Sequence, residues 1–238
     1  GCGKQEEPAE DFVVSAAVCG PLETLDPTTN TDVGAESLLS TLFEGLMRMR
    51  DDGAGKAVAV TGIAKEYIEE KNYDDTVTYT FTLRSAARWS DGERVKAEDF
   101  VYAWQRLADP ATASPNASLL SMVAGYDEVR ESGDVSLLGV KAKGESTFLV
   151  TLSRPCAYFI TSVCTSPATA PLRRDLVEGN ASWAATADIV TNGPYTVGTW
   201  VKAAQLQTKR NGEYYESKLV VPDNIRFRLD TDAPTNYD

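Results

Sequence analysis

The chain has 238 residues, 42% hydrophobic and 24% charged, enough to bury a sizeable core in one large domain or two small ones. Its 35 acidic and 23 basic residues give a formal charge of -12, which repels nucleic acid and anionic headgroups, and the lack of histidine excludes imidazole triads, histidine zinc sites and imidazole proton shuttles. No apolar run reaches the roughly 18 residues that a membrane-crossing helix requires.

Residues 1–11, GCGKQEEPAED, are too polar to offset their ordering entropy by burial and read as a tether, extending to about 30 Å between residues 3 and 11. Residues 12–18 form an apolar run closed by Cys19-Gly20-Pro21, the pattern of a buried strand. An extended loop over residues 23–27 leads to a helix expected over residues 34–47, with Leu38, Leu39, Leu42, Phe43 and Leu46 on one face. Residues 48–60 read as two short strands around a glycine-rich turn. Residues 63–70 are a further short segment, and residues 72–75 a turn. From Thr76 the chain alternates, Val77, Tyr79, Phe81 and Leu83 facing one way and the threonines between them the other.

Residues 84–120, RSAARWSDGERVKAEDFVYAWQRLADPATASPNASLL, combine a turn, a helix and a helix stop. Asp91-Gly92 supplies the positive φ of a tight turn after Trp89. A helix starts at Ala97 and repeats Phe100, Val101, Trp104, Leu107 and Ala108 at helical spacing, until Pro110 marks its exit. Lys96 stands at its N-cap, where it cannot accept from free N–H groups and opposes the dipole, at a cost of about 1 kcal/mol.

Residues 118–122 and 126–131 read as short helical pieces, and residues 137–143 and 147–152 as a strand pair. Pro155 opens a short helix to Phe159, and residues 164–171 carry the chain over the surface. Residues 172–179 read as a helix, and residues 189–195 as β-rich with an Asn192-Gly193 turn. Strands follow at residues 195–201, 204–209 and 224–229. No fixed repeat occurs. The fold class is mixed α and β, with neither a heptad seam nor a regular βαβ rhythm.

The 84–120 stretch resembles the signature of the extracellular solute-binding proteins, family 5, of oligopeptide and dipeptide ABC transporters. TLDP followed by LFEGLM resembles the family's first block, LGVKAKGESTFLVTL a later one, and KRNGEYYE the loop usually read K-N-P-x-Y-W. The resemblance implies a type II periplasmic-binding-protein-like fold: a discontinuous main lobe from residues 12–48 and 186–238, an inserted small subdomain from residues 49–185, and a second lobe that this chain lacks. It implies a monomer that captures extracellular oligopeptides and delivers them to the permease subunits, with no cofactor, metal or covalent chemistry.

The same resemblance places Asn30, Thr31, Asp32 and Val33 along the peptide cleft, where their main chain pairs with ligand; without it they are an ordinary solvent loop. Relatives commonly carry tyrosine where this chain has Asn116, so specificity does not carry over intact. Cys164 and Thr165 fall at another cleft-facing turn of the relatives. The N-terminal Gly1-Cys2-Gly3 looks like the start of a mature bacterial lipoprotein, with Cys2 as the acylated residue and two chains as a stable anchor; alternatively Cys2 is a stray thiol. Outside the cell a Cys156–Cys164 disulfide is permitted, but a helix between them would hold them about 12 Å apart. One bridge with a spare thiol, or three buried free thiols with Cys19, both remain open.

Other ligands of the same family, namely a nickel chelate, haem, a sugar or a murein peptide, are the alternatives within it. A surface hydrolase is the alternative outside it. Against the latter stand the lack of a G-x-S-x-G elbow and of a P-loop ending, and the placing of Glu69-Glu70 and Asp74-Asp75 in polar turns.

Overall fold

The structure, a computed structural model, describes residues 12–17, 22–220 and 222–230. In chain order the elements are β1 (Phe12–Ala17), α1 (Val33–Leu42), β2 (Met47–Asp51), β3 (Ala57–Thr61), β4 (Ala64–Lys71), β5 (Val77–Leu83), α2 (Ala97–Ala108), α3 (Tyr126–Ser132), β6 (Val140–Lys143), β7 (Thr147–Leu152), α4 (Arg174–Val177), β8 (Tyr195–Val201), β9 (Gln205–Arg210) and β10 (Ile225–Arg228). They form a sheet ordered β1-β10-β9-β8, a β2-β3 hairpin, and a sheet ordered β4-β5-β7-β6. The β1-β10 pair is parallel and the remaining pairs are antiparallel. Cys2 and Cys19 lie outside the described residues.

The alternation in β5 works as expected: Val77, Tyr79, Phe81 and Leu83 are all buried. They face an aromatic layer. Phe148 on β7 meets Phe100 and Trp104 of α2 at ring-centroid distances of 5.6 and 5.2 Å, and Phe159 meets Tyr79 at 4.7 Å. The buried Trp104 indole would be costly unpaired, and its Nε1–H donates to the Thr169 carbonyl at 2.9 Å. Trp89 is buried too, its indole N–H donating to Asp99 at 3.1 Å. Lys96 makes no side-chain cap, but Asp99 turns back to accept the Lys96 N–H at 2.9 Å, offsetting what the lysine cannot do.

Several expectations are corrected. Helix α1 ends at Leu42, five residues early. The Leu42 carbonyl accepts from the N–H groups of Asn192 and Gly193 at 3.2 and 2.8 Å, and the Asn192 side chain binds the Glu44 main chain in both directions, at 3.1 and 2.8 Å. These bonds take the groups that another helical turn would use. Asn192-Gly193 is therefore a docking point for α1 rather than a hairpin turn, and residues 189–194 contain no strand.

The helical turn expected from Pro155 lies later, as a π-helical turn at Phe159–Val163. The helix at 172–179 shrinks to α4. Residues 167–172 are buried rather than carried over the surface. Their polar groups find internal partners: the Thr169 hydroxyl donates to the Val163 carbonyl, and the Thr169 carbonyl accepts from Trp104. Cys156 and Cys164 are both free thiols.

A side chain at residue 193 would place Cβ about 2.7 Å from main-chain atoms of Thr41 and Leu42, which cannot move without breaking α1. Gly193→Ala is expected to destabilise the fold by about 2 kcal/mol in urea unfolding. A change within about 0.5 kcal/mol, the range of an ordinary surface substitution, would contradict this docking.

Candidate functional site

The approach to α1 is held by a chain of hydrogen bonds from α2 and the residues after it. Arg106, in the last turn of α2, forms a two-pronged ion pair with Asp26 at 3.0 and 2.6 Å, and also donates to the Thr28 hydroxyl at 2.7 Å. Asp26 itself accepts the Thr28 N–H at 2.9 Å. Both charged groups are largely buried, so the fork geometry and the extra hydrogen bonds are needed to offset desolvation. Beyond Pro110, Ser114 donates its hydroxyl to the Thr28 carbonyl and accepts the Asn116 N–H at 3.0 Å.

The next residues fold locally. Asn30 accepts the Asp32 N–H at 3.1 Å and donates to the Asp32 carbonyl at 2.9 Å. Asp32 N-caps α1 by accepting from Gly34 at 2.7 Å and Ala35 at 3.4 Å. Thr31 is exposed between these anchors, and its main-chain N–H and C=O have no hydrogen-bond partner among the described residues. Val33 is 83% exposed. Residues 30–33 and Asn116 line one groove of about 250 Å³, together with Leu119, Ser162, Ser166 and Ala168.

The structure thus brings together five of the seven cleft residues expected from the sequence. Cys164 does not join them. It is fully buried, its thiol is pushed up in pKa by burial, and its carbonyl accepts the Met47 N–H at 3.1 Å. Thr165 bonds back to the Thr161 carbonyl at 2.9 Å and lines a separate cavity of about 360 Å³. The two were placed by the relatives' turn, but here the π-helical turn directs Cys164 into the core.

That second cavity also borders Glu44, a buried carboxylate absent from the sequence reading. It accepts from the Tyr214 phenol at 2.5 Å and the Tyr215 phenol at 2.7 Å, with Arg48 at 3.7 Å. Burial outweighs these partners and holds the Glu44 carboxyl above its ordinary range; burial, then the charge of Glu44, pushes both phenols up. The signal was available as a glutamate inside the apolar LFEGLM run. Arg106 and Asp26 were equally visible, but only as a helix-end charge and part of TLDP.

The pattern of the bacterial extracellular solute-binding proteins, family 5 Middle, matches residues 59–237. The chain belongs to this family. Among family 5 relatives, it is 36% identical over 210 residues to the periplasmic oligopeptide-binding protein OppA of Escherichia coli (strain K12), covering 87% of this chain and 37% of that protein. It is 31% identical over 201 residues to the dipeptide-binding protein DppE of Bacillus subtilis (strain 168), covering 84% of this chain and 36% of that protein. The crystal structure of Haemophilus influenzae OppA in complex with RPPGFSPFR superposes with a TM-score of 0.82 at 31% identity, over 95% of this chain and 43% of that one. The chain therefore has the mixed α/β fold of these periplasmic binding proteins while spanning well under half their length.

The Glu44 shift has a measurable consequence for this family 5 chain. With a native pKa above the unfolded value, the native state binds more protons between the two, so stability falls as pH rises through that interval. Relative to Glu44→Gln, the wild type is expected to lose stability in urea titrations as pH rises above the ordinary glutamate value of about 4. A wild type that gains on the variant over that range would overturn the assignment.

Proposed function

We propose that the protein captures oligopeptides outside the cytoplasm and delivers them to the permease subunits of an ABC importer. The observation that carries this is the Thr31 main chain, without a hydrogen-bond partner among the described residues and held at the groove in a family 5 chain. Peptides of varied sequence share only their backbone, and main-chain hydrogen bonds from a cleft edge bind it whatever the side chains. Asn30, Asp32, Val33 and Asn116 complete this side of the cleft. Capture proceeds by closure: ligand favours the state in which contacts from both sides of the cleft are made, and no covalent step is needed.

The proposal includes a main lobe from residues 12–48 and 186–238 and an inserted subdomain from residues 49–185. Supporting it, one sheet draws β1 from one end of the chain and β8, β9 and β10 from the other, while the β4-β5-β7-β6 sheet is built between them. The protein works as a monomer, anchored by acylation of Cys2 with residues 1–11 as tether, and with the second side of the cleft supplied by sequence that relatives carry beyond the matched region.

Calorimetry of the complete gene product against a mixed peptide library is expected to show saturable binding with the peptides recovered intact. Absence of binding, or recovery of cleaved peptides, would defeat the reading. Mass spectrometry of the membrane-extracted protein is expected to find a diacylglyceryl group on Cys2, and an unmodified thiol in a mature chain starting at that cysteine would remove the anchor from the proposal.

A further inference from the structure

We propose that Asn116 is a positioning residue that sets the cleft loop, acting on ligand through Thr31 rather than by touching it; this rests on the peptide-binding reading above. Its Nδ2 donates to the Asn30 carbonyl at 2.7 Å and lies 3.4 Å from the Thr28 carbonyl. Two carbonyl acceptors on one side fix the carboxamide orientation, because the opposite flip would set its oxygen against both. The amide is thus committed to its own protein before any ligand arrives.

The consequence falls on Thr31. On its N-terminal side the loop is held at Asp26 and Thr28 by Arg106 and Ser114, and at Asn30 by Asn116. On its C-terminal side Asp32 is fixed as the N-cap of α1. Asn116 is the nearest tie to Thr31 that comes from outside the loop and α1, and it stops residues 30–31 from swinging about the Thr28 anchor. Ordering the loop beforehand removes an entropic cost that ligand would otherwise meet on binding. The remaining polar atom of Asn116, Oδ1, has no partner among the described residues and is available to an ordered water at the groove wall.

Two variants of the complete gene product test this. Asn116→Asp keeps the shape and loses both donors, and Asn116→Ala removes the group. Both are expected to speed hydrogen exchange of the Asp32 amide by about tenfold, while amides of β5 keep their protection, and to weaken peptide binding by about tenfold. Acidification adds a donating proton to the substituted carboxyl, so affinity should recover towards the wild type in N116D and not in N116A. That comparison separates a lost donor from a general loss of structure, and it cancels any titration of Asp32 and Glu36, which line the same groove. Unchanged Asp32 exchange overturns the proposal, as does faster exchange with unchanged affinity. If the wild type binds no peptide, the functional reading fails, and the exchange arm still decides whether Asn116 orders the loop.

Discussion

The C-terminal end of α1 is the constraint on which the two sheets depend. Its last residue, Leu42, is buried, and an unpaired carbonyl in such a place costs free energy comparable to a lost hydrogen bond. Asn192 and Gly193 bring two N–H donors to Leu42 from nearly the other end of the chain, and the Asn192 side chain imitates a strand partner for Glu44. One contact thereby stops α1, releases Gly45 and Leu46 towards β2, and launches β8 at Tyr195. Only glycine fits at position 193, because the main chains of the two segments touch. Glu44, fixed in this way, becomes the acceptor for Tyr214 and Tyr215 from the loop after β9.

Helix α2 joins the aromatic layer to the groove by using two of its surfaces for different work. Its apolar face, with Phe100 and Trp104, closes the aromatic layer over β5 and β7. Its last turn projects Arg106 out of that layer to Asp26 and Thr28. The rigidity of the aromatic packing is thus passed to a loop that has little core of its own. Replacing Arg106 by lysine would lose the fork that holds both carboxylate oxygens and the hydroxyl together.

How far the sequence could be read depended on whether a signal was local. The alternation of β5, the turn at Gly92 and the periodic face of α2 depend on neighbours a few residues away, and they are where the pattern put them. The end of α1 was misplaced because Phe43 and Leu46 continue the helical spacing, while the groups that stop the helix lie about 150 residues on, at 192–193. Residues 164–171 read as surface because proline, serine and threonine usually are; the partners that make their burial tolerable, Val163 and Trp104, carry no mark of it in the sequence. For the groove, residues 30–33 and Asn116 were legible through the family's blocks. Arg106 was legible only as a charge near a helix end, since its partner Asp26 lies 80 residues away.

The groove's side chains are mostly spent on the protein itself. Asn30 closes a local turn, Asp32 caps α1, Asn116 ties the loop, and the Ser166 hydroxyl accepts the Ala168 N–H at 3.2 Å. What this wall offers is a main chain, at Thr31, beside an open space of about 250 Å³. A site built that way discriminates weakly among side chains, because no committed donor or charge on this wall is left unpaired when one ligand side chain replaces another. It favours, under the proposed capture, an extended backbone, which can meet both Thr31 groups that have no partner among the described residues. Under the proposed capture of oligopeptides, breadth towards sequence and demand for a peptide backbone come from the same cause: the side chains were used to hold the loop still.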